Sequence, residues 1–216
     1  MAALRDALAG KSRCFVPYAW EELPSLVNMS AGPGWWTDAT GCRRLLLDLI
    51  GATGAHGAVV DILHPSEQRL LADEPGLEGL CDDVLDNPVV ADAIDRLSRL
   101  AATVQVPLVA ALPSFHDGDA DLVGDILCDI AGAAMGTGIA AILIAGADGA
   151  VAGRIKRLAD NFDLPVIVLG EDGAREITRD GAVAVAGDVP AGVVLTPGDV
   201  SRSWTLAEIK QFGSAP

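Results

Sequence analysis

The stretch PVVADAIDRLSRLAATVQVPLVAAL, residues 88–112, holds one complete helix-to-strand unit and decides how the rest of the chain is read. Residues 88–103 carry apolar side chains at helical spacing, with Pro88 suited to a first helical turn. Residues 106–112 (VPLVAAL) form a short, continuous apolar run, as expected of a parallel strand buried on both faces. The same couplet recurs in both directions. Helices are predicted over 37–49, 119–135 and 151–162, and strands over 57–63 (GAVVDIL), 139–145 (IAAILIA) and 164–169 (LPVIVL). A helix over 3–9 precedes a first strand at 14–20 (CFVPYAW), in which Pro17 implies a strand end or bulge. A short helix near 172–178 is expected before two further strands, 182–186 and 192–196, and a terminal helix over 205–212. Residues 66–87 show the poorest pattern and are a candidate lid.

Such alternation predicts an α/β fold with a parallel sheet and helices outside it. The expectation is one domain over residues 1–216, a TIM-like (β/α) barrel of about seven strands. A full barrel typically needs about 250 residues, so this one is trimmed or incomplete. No room for a helix exists between Ala186 and Gly192, so one helical unit is missing. An open doubly wound sheet is the competing closure. The first strand-to-helix junction carries no GxGxxG, and the GADGAVAG run at 146–153 is neither that fingerprint nor a Walker loop.

Composition narrows the function classes. Half of the 216 residues are hydrophobic and only 4% are aromatic, enough for a large aliphatic core. The formal net charge of -15 opposes binding to a nucleic-acid backbone or an anionic membrane. Arg154, Lys156 and Arg157, the nearest approach to a basic cluster, read as an exposed helix face. No apolar run is long enough for a membrane span, and the N-terminus does not resemble a signal peptide, so a cytoplasmic protein is expected. Cys14, Cys42, Cys81 and Cys128 form no CxxC pair and read as free thiols.

Several segments together resemble the uroporphyrinogen decarboxylase superfamily, which includes corrinoid-linked methyltransferases. They are LRDALAGKSRCFVPYAW at the N-terminus, LLLDLIGATGAHGAVVDIL, AIDRLSRLAATVQVPLVAALPSF, and the tail GVVLTPGDVSRSWTLAEIKQF. The resemblance implies a TIM barrel and lyase (decarboxylase-like) or methyl-transfer chemistry on a small molecule. It places Asp61 where the family has a strand-two aspartate that holds ring N–H groups and stabilises developing positive charge. Two departures matter. Glu21 and Glu22 stand where the decarboxylase has an arginine-bearing loop, and they would repel a polycarboxylate. The methyltransferase zinc ligands have no counterparts, since no His follows His116 and no Cys follows Cys128. FVPYAWEELPSLV is also loosely similar to an early segment of the phosphoenolpyruvate mutase and isocitrate lyase barrels, but the magnesium-binding acids of that family are not evident. A non-catalytic binding or assembly subunit is the third reading.

The candidate residues lie where barrel chemistry concentrates, at the carboxyl ends of the strands. Asp61, His64 and His116 are the catalytic candidates: a carboxylate for electrostatic or proton-handling work, and two imidazoles for acid–base work near pH 7. Tyr18, Trp20, Glu21, Ser114 and Trp36 are candidates for substrate binding. Asp61, His64 and His116 could converge as a two-His, one-carboxylate metal site, but their spacing does not require it, and no metal or other cofactor is expected. His56 precedes a strand and reads as structural; Asp199 reads as a turn residue. The expected partners are a small-molecule substrate and further copies of the chain, with no nucleic acid and no membrane.

Overall fold

The computed structural model describes residues 2–8, 13–18, 20, 23–27, 32, 34–73, 77–80, 83–115, 119–145, 149–170, 173–178, 181–184, 192–195, 207 and 209. Among them, eight α-helices and eight strands follow in chain order. Helix α1 (Ala2–Leu8) leads into β1 (Arg13–Val16), α2 (Leu23–Leu26), a 3-10 turn (Trp35–Thr37) and α3 (Ala39–Thr53). Next come β2 (Ala58–Asp61), α4 (Pro65–Asp73), α5 (Leu77–Leu80), a second 3-10 turn (Val84–Asp86) and α6 (Pro88–Thr103). The order continues with β3 (Leu108–Ala111), α7 (Ala120–Met135), β4 (Ala141–Ala145), α8 (Gly149–Asp160) and β5 (Val166–Gly170). Strands β6 (Gly173–Thr178), β7 (Gly181–Ala184) and β8 (Gly192–Leu195) complete it.

The long helices begin where short polar side chains can satisfy their free amide groups. Asp38 accepts from the amides of Thr40 and Gly41, each at 3.0 Å, at the start of α3. Asn87 accepts from the Val89 amide at 2.9 Å and is followed by Pro88 at the start of α6. Strands β2, β3, β4 and β5 lie side by side in that order, all parallel. Strand β1 pairs in parallel with β8 and adjoins β2: the amides of His56 and Val59 donate to the carbonyls of Phe15 (2.8 Å) and Pro17 (3.0 Å). At the start of β2 the chains come very close. A Cβ on Gly57 would sit 2.5 Å from the Pro107 carbonyl oxygen, so only glycine fits.

Strand side chains alternate between two cores. Val60 and Ile62, Leu108 and Ala110, Ile142 and Ile144 join the apolar faces of α3, α6, α7 and α8. Val59, Val109, Ala111, Leu143 and Ile167 face the other way, where Leu4 and Ala7 of α1 cover them. The crossover helices therefore share one face. A doubly wound sheet would distribute them over both.

The helix near 172–178 and the all-parallel sheet are corrected, and other expectations are refined. Residues 173–178 form a strand, not a helix: GAREIT pairs antiparallel with β5 and, on its other side, with β7. Ladder hydrogen bonds from both neighbours outweigh the weak helical preference of its Ala, Arg and Glu. The expected strand at 182–186 is therefore antiparallel, and the sheet is mixed. The sheet does not close among the described residues, which form a six-stranded sheet, β2 to β7, and a separate β1–β8 pair. The first strand ends at Val16, immediately before Pro17, which has no amide to continue a ladder. Within the candidate lid, Leu71, Leu80 and Val84 are buried in the helix-side core, so α4, α5 and the second 3-10 turn are packed structure. No helix among the described residues is long and apolar enough to cross a membrane.

Candidate functional site

Asp61 closes β2 at its carboxyl end. It shares a face with Val59, two residues earlier, and so belongs to the side of the sheet covered by α1. In the ladder it lies beside Ala111, which lies beside Leu143, which lies beside Ile167. Its ladder neighbours on that face are apolar, and the residue is 9% exposed. The Tyr18 hydroxyl donates to Asp61 Oδ1 at 2.8 Å. Tyr18 is half-buried just beyond β1 and touches both cores. Two residues expected at one strand-end rim are thus hydrogen-bonded to each other. A carboxylate held this way can accept hydrogen bonds from a bound molecule, or offset positive charge that develops on it, without first reorganising.

His64 occupies a different environment. Its ring stacks on Trp36, with centroids 3.6 Å apart and planes 2° from parallel, and meets Trp35 edge-on at 6.2 Å. Its Nδ1 accepts the Ser66 amide at 3.2 Å, which leaves the proton of the neutral ring on Nε2. Burial, reinforced by the positive charges of Arg96 and Arg69, pushes its pKa down to about 4. The ring is neutral at pH 7 and serves as a wall, with no imidazolium proton to give. Trp20 is 2% exposed and packs against Trp35 at 5.1 Å in the helix-side core. Trp36 is half-buried and lines a groove of about 720 Å³ between α3, α4 and α6, together with Arg43, Leu70 and Arg99. Ser114, half-buried after β3, donates its backbone amide to Gln68 Oε1 at 3.2 Å. His116 and Glu21 lie outside the described residues, as do Asp117 and Asp199. His56 ties strands together, its Nδ1 accepting the Phe15 amide at 3.1 Å.

Sequence reasoning passed over a buried ion pair beside these residues. Arg96 of α6 grips Glu67 of α4 with both nitrogens, Nη1 to Oε1 and Nη2 to Oε2, each at 3.0 Å. Both side chains are nearly inaccessible, at 5% and 8% exposure. A signal was present: Arg96 falls on the apolar stripe Val90, Ala93, Leu97, Leu100, where a charge needs a buried partner. Cys42 and Cys14 are buried free thiols, their pKa values raised by burial to about 12 and about 11, so neither is a nucleophile at neutral pH. Among the described residues, no group of three His, Cys, Asp or Glu side chains could hold a metal ion.

Comparison with known protein families, with curated proteins and with solved structures finds no match to this chain. The reading of the site therefore rests on its own residues.

Proposed function

We propose that the chain is a small-molecule enzyme built on a trimmed (β/α) barrel, with its working end at the carboxyl ends of β1, β2 and β3. The reaction is lyase-like, a decarboxylation of an aromatic or heteroaromatic monocarboxylic acid. Three features support the barrel: the parallel order β2 to β5, the parallel β8–β1 pair beside β2, and crossover helices on one face only. The observation that carries the functional reading is the Tyr18 hydroxyl donating to Asp61 at a strand's carboxyl end, beside Ala111.

In this reading a proton from solvent adds to the ring carbon that bears the carboxylate, Asp61 offsets the positive charge this puts on the ring, and the carbon–carbon bond then breaks, its electron pair returning to the ring as CO2 leaves. Tyr18 orients the carboxylate. Neutral His64 and Trp36 form an adjoining wall. Ser114 follows β3, and His116 comes two residues later in the sequence. Lyase chemistry is favoured over methyl transfer because the sequence lacks the zinc ligands of the methyltransferase branch. Glu21 and Glu22 argue for a single carboxylate on the substrate, since several would be repelled.

The test is CO2 release from a panel of such acids. Wild-type protein should decarboxylate at least one of them, and Asp61→Asn should lower that turnover by on the order of 100-fold at unchanged melting temperature. An inert wild-type protein, or an Asp61→Asn protein with full turnover, would defeat the proposal.

A further inference from the structure

The chain immediately after Asp61 is held by side chains at three consecutive residues. Arg96 Nη2 donates to the Ile62 carbonyl at 3.1 Å. Gln68 Nε2 donates to the Leu63 carbonyl at 3.0 Å. The His64 amide donates to Glu67 Oε2 at 2.7 Å, and Glu67 is itself gripped by Arg96. Gln68 extends the tie to the loop after β3 through the Ser114 amide. A buried ion pair is a poor device for stability alone, since apolar residues of similar volume often do as well or better. What it supplies here is direction. The guanidinium fork fixes a carbonyl and a carboxylate at once, in one geometry.

We propose that Arg96, acting through Glu67 and the Ile62 carbonyl, is a positioning residue that sets the Asp61 carboxylate against Tyr18. This rests on the reading of Asp61 as the working carboxylate, but the geometric part can be tested without any ligand. Tyr18 is the only tyrosine in the chain. Its ultraviolet resonance Raman doublet therefore reports, without overlap, whether its hydroxyl donates a hydrogen bond.

The experiment compares wild-type protein, Asp61→Asn, and the double variant Arg96→Met/Glu67→Leu, which replaces the pair with apolar side chains. The double variant leaves the Ile62 carbonyl and the His64 amide without these partners, so it should melt below wild type while staying folded at the assay temperature. Its tyrosine signature should nevertheless move away from the wild-type value toward that of Asp61→Asn, and any decarboxylase turnover should drop by on the order of 10- to 100-fold. If the double variant does not fold, Glu67→Gln, which keeps the shape and loses the charge, carries the same comparison. A folded variant with the wild-type tyrosine signature overturns the positioning role. A shifted signature combined with full turnover in Asp61→Asn upholds the positioning of the carboxylate and defeats the functional reading instead.

Discussion

Strand β2 and the turn after it separate two buried polar groups that differ in kind. On the side covered by α1, Asp61 and Tyr18 meet at the rim of an aliphatic face. On the helix side, Arg96, Glu67 and the backbone of residues 62–64 form a network in which each charge has an opposite charge and each named backbone group a partner. The helix-side charges satisfy one another and hold the backbone of residues 62–64, and the ring beside them is held neutral. The Asp61 side presents a carboxylate at a strand end, where barrel-type proteins place chemistry. Burial of a charged group therefore does not mark function by itself. Position along the strand and the face it occupies distinguish the two.

The sharpest way to break this contrast is Arg96→Ala. It strands the Glu67 carboxylate in the core and should cost about 3–5 kcal/mol of unfolding free energy in denaturant titrations. A loss below about 1 kcal/mol would mean that Glu67 reaches water and that the network is no core feature. Tyr18→Phe should cost less, about 1.5–3 kcal/mol, since one hydrogen bond to a charged group is lost at a half-exposed position. If it were instead neutral in stability and in turnover, the Asp61 side would lose its claim.

The smallest effect is the pH dependence of His64. Its pKa in the folded protein is lowered to about 4 from an ordinary 6.5, so the unfolded chain binds the proton more readily between those values. Stability is unaffected by this group above about pH 6.5, falls as the pH drops through the window, and levels off below about pH 4. Allowing for partial solvent screening, the fall should be about 1–2 kcal/mol. His64→Gln should remove that portion of the acid sensitivity, as read from unfolding free energies at pH 7 and pH 4.5. An equal acid loss in His64→Gln would place the ring in water rather than against Trp36.

Much of the α/β layer was legible because its signals are local. The helix over Pro88–Thr103 and the strands β2 to β5 follow from apolar spacing, caps and prolines that act within a few residues. Residues 173–178 were not legible, because GAREIT becomes a strand through partners on β5 and β7 rather than through its own preference. Asp61 and Tyr18 could be placed together because each directly follows an apolar strand run. The lowered pKa of His64 was not legible: the Trp36 ring that stacks on it lies 28 residues away in sequence, and no spacing rule connects them. The Arg96–Glu67 pair was hidden for the same reason, although a charge within an apolar stripe was visible.

The β1–β8 ladder joins Arg13 to Gly192, so all of β2 to β7 lies between the two strands that pair. During synthesis β1 leaves the ribosome well before β8 and waits for its partner. Closing so long a loop is slow relative to assembly of the neighbouring β2 to β5 units, whose contacts are close in sequence. In that interval Cys14, Phe15 and Val16, all fully covered in the finished molecule, are exposed to other nascent chains. Yield in the cell should thus depend on how fast translation runs between β1 and β8.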